Sequence, residues 1–334
     1  MKILVIHPGS LGDVILSLPA LHALKQAYPM ASLDLMGNSS ILELLRGRFY
    51  ADRVISIDRA DVSLCFSGLA EPSDPIVNTI MEYDLIVNWL ENKEGEFSRH
   101  LGRIGAKKIV ASRPISQRTT HEHRVEIFLE ALSPLGIPSP FLPPQVFPSP
   151  EDRRLGKEVL LRSGVMMKER SVLAIHPGSG GRSKCWDFTR FIEASRLARE
   201  QLGLQSLFIL GPAERGLSVK LKNSLGNDVA ILDCVPLPIL AGALTWCSGY
   251  LGNDSGVTHL AAALGIPTAA IFGPTDPHLW GPIGRHVRVL SKRAENRHAG
   301  QERCHGCDCL DRVSVEDVIQ TLAEIVLDYS PTIC

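Results

Sequence analysis

The apolar positions of this chain repeat with two periods in alternation. Short, nearly continuous runs of aliphatic residues read as strands buried on both faces. Between them lie longer stretches whose apolar residues recur every three or four positions, as on one face of a helix. Residues 2–6 (KILVI) predict the first strand, 9–12 a turn, and 13–28 a helix carrying Val14, Leu18, Leu21 and Leu24. Pro19 falls inside that pattern and should kink the helix or mark its first turns. Further strands are predicted at 32–37, 53–58, 83–89 and 106–112, and a helix at 121–135.

Six prolines then fall between Pro138 and Pro150, which predicts a linker with no packed element. Beyond it the alternation resumes. Strands are predicted at 172–176, 206–211, 229–232, 250–253, 267–273 and 286–290, with helices at 187–202, 212–225, 238–246 and 255–265. An amphipathic helix at 314–329 closes the chain, with Ser314 as its N-cap and Asp317 as a short-armed capping-box partner. Such alternation makes an α/β protein with parallel sheets and helices on both faces. Ligands of these sheets sit at the carboxyl ends of the strands. The tetrapeptide His-Pro-Gly-Ser ends a strand twice, at 7–10 and at 176–179. Each copy is therefore expected at a ligand-facing rim, by duplication or by convergence on a useful turn.

Length agrees with the repeat. A chain of 334 residues is long for one core, and two domains of roughly 150 residues each are expected. The pattern divides it into an N-terminal domain (1–140), a linker (141–152), a C-terminal domain (153–313) and a closing helix (314–330). The net charge of −1 gives no global reason to expect nucleic acid, so an anionic ligand needs local positive groups or helix N-termini. Apolar runs fall short of the ~18–20 residues of a membrane span. The N-terminus lacks the layout of a secretory signal, and eight scattered cysteines read as reduced thiols of a cytoplasmic protein. Attachment to the cytoplasmic face of a membrane stays open.

Neither GxGxxG after a strand nor GxxxxGK[ST] occurs, which argues against dehydrogenase and P-loop ATPase readings. Four strand ends carry the candidate chemistry instead. In SLGD, Asp13 is either an ordinary helix-start residue or a carboxylate able to take a proton from a hydroxyl. In HPGSGGRSKCW, Gly178, Gly180 and Gly181 admit backbone N–H groups near a phosphate and Lys184 adds a point charge. In GNDSGVTHLAAALG, Asp254 or Ser255 caps a helix whose first turn holds Gly256, while His259 is either a core histidine or a ligand contact. Glu214, in LGPAERG, lies just past a strand. A cluster of His298, Cys304, His305, Cys307 and Cys309 has one CxxC but lacks the second expected of a zinc ribbon, so no metal is assigned.

Together these segments resemble family-nine glycosyltransferases, the heptosyltransferases of lipopolysaccharide core assembly. The resemblance spans nearly the whole chain and rests on GSLGDVILSLPALHALKQAYP, HPGSGGRSKCW, LGPAERG and, above all, GNDSGVTHLAAALGIPTAAIFGPTDP. It implies a GT-B fold, two Rossmann-like doubly wound domains facing across a cleft, with the closing helix packed back toward the N-terminal domain. It also implies metal-independent, cofactor-free, inverting transfer from ADP-heptose to a Kdo–lipid A type acceptor at the inner membrane surface. Carried over by motif, Asp13 is the general base and Lys184 a second catalytic group. Ser179, Gly178, Glu214, Asp254, Ser255, Gly256 and His259 line the donor. The segment expected to carry an acceptor-side Asp has Asn88 instead, followed by a basic stretch. Arg113, Arg118, His121, His123 and Arg124 are either anion-binding acceptor residues or a solvated basic loop. Open alternatives are another sugar or acceptor (a surface polysaccharide or a protein), a GT-B epimerase or hydrolase, and a nucleotide-sugar-binding protein without catalysis.

Overall fold

A computed structural model describes residues 1–68, 70–71, 73–90, 95–112, 122–138, 140–166, 172–226, 229–292 and 308–327. The chain forms two compact units, Met1–Phe147 and Pro148–Cys334. In the first, strands β1 (Lys2–His7), β2 (Ser32–Gly37), β3 (Arg53–Ser56), β4 (Leu85–Asn88) and β5 (Ile109–Ala111) form a parallel sheet in the order β3-β2-β1-β4-β5. The connecting helices are α1 (Leu11–Ala27), α2 (Ser39–Leu42), α3 (Ala60–Phe66), α4 (Pro75–Met81) and α5 (Glu96–Arg103), with α6 (Arg124–Glu130) following β5.

One face of this sheet (Leu4, Ile6, Met36, Ile86) packs on Val62 of α3, Ile76 and Ile80 of α4, and Phe97 and Leu101 of α5. Helices α1 and α6 pack against each other. Helix α1 runs through Pro19, which is buried nine residues in, so the proline marks neither its start nor its end. A proline removes one intrahelical hydrogen bond, and burial of Leu16, Leu18, Leu21 and Leu24 around it holds the helix together. Helices α2 to α5 are short, four to eight residues, and show too few turns to be read from periodicity.

The second unit holds β6 (Val172–His176), β7 (Gln205–Leu210), β8 (Ala230–Asp233), β9 (Gly249–Asn253), β10 (Thr268–Phe272) and β11 (Val287–Ser291), all parallel, in the order β11-β10-β9-β6-β7-β8. This is the doubly wound order, in which strand order reverses between the first and fourth strands of the unit. Its helices are α7 (Pro150–Arg162), α8 (Phe188–Leu202), α9 (Leu217–Leu225), α10 (Leu237–Leu244), α11 (Gly256–Ala263), α12 (Pro277–Trp280) and α13 (Val315–Leu327).

Where the proline run predicts no packed element, α7 begins at Pro150. Proline at the first helical position forfeits only a hydrogen bond that position never makes. Ser149 and Asp152 close a capping box there, at 3.1 and 2.7 Å. Helices α7 and α10 touch backbone to backbone. A Cβ on Gly156 would lie 2.2 Å from Ala243 N, and one on Gly242 would lie 1.9 Å from Asp152 O. The chain just before α7 is anchored too: Tyr50 donates its hydroxyl to Gln145 O at 2.9 Å, and Phe147 packs on Phe49 and Tyr50.

The closing helix α13, expected to pack toward the N-terminal domain, lies against α8, β9, β10 and β11. It buries Val318, Leu322 and Ile325 in the core of the second unit. Ser314 caps it as expected, with reciprocal 3.1 Å bonds to Asp317.

Candidate active site

Both His-Pro-Gly-Ser turns lie where strand order reverses, the position at which doubly wound sheets bind ligands. The first follows β1, beside β4; the second follows β6, beside β9.

In the second unit, the end of β9 organises the turn after β6. The Asn253 side chain is fully buried. Its Oδ1 accepts the Trp186 N–H at 2.9 Å and its Nδ2 donates to Pro177 O at 2.8 Å. Asn253 thus ties the glycine-rich loop to the strand beside it, a role that sequence reading missed. Trp186 is buried too and donates its indole N–H to Val313 O. The loop then reaches Asp254: Ser179 Oγ donates to Asp254 O at 2.5 Å, and Lys184 Nζ lies 2.7 Å from Asp254 Oδ2. The Lys184 side chain is 19% exposed and that of Asp254 8%, so water screens this pair little. An ammonium has three donors, and Asp254 takes one.

Ser255 caps α11 and accepts from Thr258 N at 3.3 Å. Thr258 Oγ1 donates to Asn253 O and contacts Tyr250 Oη at 3.0 Å. This buried hydroxyl network holds the α11 N-terminus against the end of β9. Gly256 opens the helix, and His259 is buried one turn in. First-turn N–H groups together with an ammonium form a ready anion site.

Glu214 follows β7, is buried, and accepts Gly211 N–H at 2.8 Å. A Cβ on Gly178 would lie 2.1 Å from Glu214 Oε1, so Gly178 is there to admit that carboxylate; Gly180 and Gly181 face open space. The structure therefore gathers Gly178, Ser179, Lys184, Glu214, Asp254, Ser255, Gly256 and His259 around the strand ends of one sheet.

In the first unit, Asp13 sits in the first turn of α1. Its Oδ2 accepts from Ser10 N at 3.1 Å and Ser10 Oγ at 2.7 Å. Its Oδ1 lies 3.7 Å from Arg124 Nε of α6. Arg124 also stacks on Phe128, with 5.1 Å from its guanidinium carbon to the ring centre. His123 has a structural role, since its Nδ1 caps α6 by accepting Val125 N–H at 3.2 Å. Arg113, Arg118 and His121 lie outside the described residues, as do His298, Cys304, His305 and Cys307 of the cysteine cluster. Cys309 is buried.

The two turn histidines adopt opposite tautomers. Gly9 N–H donates to His7 Nδ1 at 3.1 Å, so the proton of the neutral ring is on Nε2. His176 Nδ1 donates to Ile209 O at 2.9 Å, so its Nε2 is the acceptor. Burial lowers both pKa values, and the Ile209 carbonyl and Glu214 oppose the shift at His176. His7 is held down to about 4 by burial, with Asp13 opposing the shift and Arg124 adding to it.

The consequence for stability has a definite sign. From its ordinary 6.5 down to about 4, the unfolded chain binds a proton at His7 that the folded chain refuses. Stability then falls as pH falls. We expect His7→Phe to remove about 2 kcal/mol of the loss that urea unfolding shows between about pH 7 and about pH 5. An identical loss in variant and parent would mean that His7 does not carry it.

Residues 103–308 match the model of glycosyltransferase family 9 (heptosyltransferase). This chain belongs to that family. It is 22% identical over 351 residues to lipopolysaccharide heptosyltransferase 3 of Escherichia coli K12, covering 96% of this chain and 97% of the relative. It is 27% identical over 311 residues to lipopolysaccharide heptosyltransferase 1 of Pseudomonas aeruginosa, covering 85% and 82%. Its fold matches an E. coli heptosyltransferase, WaaC, crystallised with ADP: TM-score 0.69, 20% identity, 97% of this chain and 99% of that one. The fold match gives the GT-B class, and membership of the family gives sugar transfer as the activity. The family match covers more than half of the chain, from α5 to the residues before α13.

Proposed function

We propose that this glycosyltransferase moves a heptose from ADP-heptose to a lipopolysaccharide inner-core acceptor with inversion. The observation that carries the donor half is the Lys184–Asp254–Ser179 cluster at the N-terminus of α11. It sets an ammonium, a hydroxyl and helix N–H groups at one switch point, which suits a departing nucleoside diphosphate. The relatives' names supply the heptose and the lipopolysaccharide, and the ADP bound to one of them supplies the nucleotide.

In this reading Asp13 accepts the proton of the attacking hydroxyl through Oδ1, because Ser10 occupies Oδ2. The hydroxyl oxygen bonds to the anomeric carbon as the bond to the diphosphate oxygen breaks. Lys184 and the α11 N-terminus hold the negative charge that builds on that oxygen. The acceptor is a glycolipid, so work at the cytoplasmic face of the inner membrane belongs to the proposal. Among the described residues no helix is long and apolar enough to cross a membrane.

The test is calorimetric titration with ADP, GDP and UDP, first without metal and then with magnesium. ADP is expected to bind tightest, and equally well in both buffers. A preference for UDP or GDP would move the reading to another nucleotide sugar. Absence of binding by all three would remove the donor-site assignment.

A further inference from the structure

The glycine-rich loop after β6 runs from Pro177 to Trp186, and one side chain bonds to both of its ends. Asn253, the last residue of β9, is 0% exposed. Its Oδ1 accepts the Trp186 N–H at 2.9 Å. Its Nδ2 donates to Pro177 O at 2.8 Å and reaches Gly178 O at 3.5 Å. Strand pairing puts it there. His176 lies opposite Gly252, so residue 253 stands beside the first residue past β6. A proline has no N–H, and its carbonyl is the one main-chain group by which it can be held.

Few side chains could do this. The amide accepts on one branch and donates on the other. Aspartate would set a carboxylate against the Pro177 and Gly178 carbonyl oxygens. Leucine fills the same space and makes neither bond. Glutamine has the same groups and one methylene too many for a site with no exposed surface.

The far end of the loop is rigid. Trp186 is 2% exposed, its indole N–H donates to Val313 O at 3.0 Å, and its ring meets Phe191 edge to face with centres 5.0 Å apart. Just before it, Arg182–Lys184 form one tight turn, closed by Lys184 N–H to Gly181 O at 3.0 Å and Cys185 N–H to Arg182 O at 3.1 Å. Lys184 thus hangs from a hydrogen-bonded turn two residues before a fixed point. Its ammonium reaches Asp254, the residue after Asn253, at 2.7 Å. Both partners of that ion pair are placed by Asn253: Asp254 along the chain, and Lys184 through the Trp186 N–H. Between the loop ends, Ser179 Oγ bonds to Asp254 O, while Gly180 and Gly181 face open space. A lysine side chain has many rotamers to lose. A turn that is already in place reduces what must be ordered when a ligand arrives.

We propose that Asn253 is a positioning residue for sugar transfer: it holds the glycine-rich loop in place before the donor arrives and acts on the donor through Lys184. This rests on the reading of Lys184 as the group that meets the diphosphate.

The experiment is calorimetry with ADP on the full chain as parent, Asn253→Ala, Lys184→Ala and the double variant. Asn253→Ala is expected to weaken ADP about tenfold when Lys184 is present, and less than about threefold when residue 184 is already alanine. A residue that only stabilises the fold would cost the same in both backgrounds. Equal losses, or no loss from Asn253→Ala, overturn the proposal. Failure of the parent to bind ADP is a different result, which removes the donor-site reading and the proposal with it.

Hydrogen exchange at the Trp186 amide needs no Asn253 variant and decides the case if Asn253→Ala does not fold. Its protection relative to the Ile175 amide of β6 is expected to change less than about threefold in Lys184→Ala, because Asn253 still holds that N–H. A larger loss of protection would mean that the ion pair, and not Asn253, keeps the loop in place, and the proposal falls.

Discussion

Replacing Asp13 with Asn is expected to lower turnover by about 10²–10⁴-fold, the range for loss of a general base, while ADP affinity stays within about twofold. Asn is chosen because its carbonyl oxygen can still accept from Ser10 N and Ser10 Oγ, the bonds that fix the first turn of α1. Alanine would remove that cap as well, at about 1 kcal/mol of stability, and mix folding with chemistry. The variant leaves the second unit, and hence the proposed donor site, untouched. A fall in kcat and kcat/KM together is the signature of an interaction made in the transition state. Single-turnover rates with saturating donor and acceptor measure it. Parent-like turnover in Asp13→Asn would remove Asp13 from the chemistry and leave it as a helix-start residue.

Lys184→Ala is expected to weaken ADP binding on the order of 10²-fold and to depress turnover with it. Two effects add. The diphosphate loses a charge-assisted donor, and Asp254 loses the ammonium 2.7 Å from its carboxylate. A buried carboxylate left without its partner is costly, and here it would also repel the phosphates. The double variant Lys184→Ala/Asp254→Asn separates these effects. Recovery of about half of the lost binding free energy would show that Lys184 acts partly by neutralising Asp254. No recovery would assign the whole effect to direct contact with the diphosphate. Calorimetry with ADP reads both, and an unchanged affinity in Lys184→Ala would overturn the phosphate role.

Most of the alternation was legible because parallel strands buried on both faces are written as unbroken apolar runs. KILVI, SVLAI and PTAAIF need no partner to be recognised. The long helices α1, α8 and α13 show their period over three turns or more. Helices α2 to α5 and α12 are too short to show one, and α7 was hidden by Pro150, whose tolerance at the first helical position depends on the Ser149 cap beside it. The residues of the proposed donor site were legible through motifs. Their cohesion was not, because what creates it joins residues far apart in the chain: the bonds of Asn253 to Trp186 and Pro177 and of Lys184 to Asp254, and the close approach of Glu214 to Gly178. The basic residues proposed for the acceptor stood out by charge, whereas the cap that His123 makes on α6 did not.

The amino-acid sequence by itself determined two parallel α/β sheets, the strand ends that carry the candidate site, and the family. These depend on local period, turn chemistry and contiguous motifs, all of which act over a few neighbouring residues. Only the tertiary structure decided what the repeated His-Pro-Gly-Ser does in each place. Identical tetrapeptides carry opposite tautomers, because Gly9 N–H meets one imidazole and the Ile209 carbonyl meets the other. The tautomer follows from the group that each ring faces, and a ring 33 residues from its partner carbonyl finds that group only when the sheet has formed.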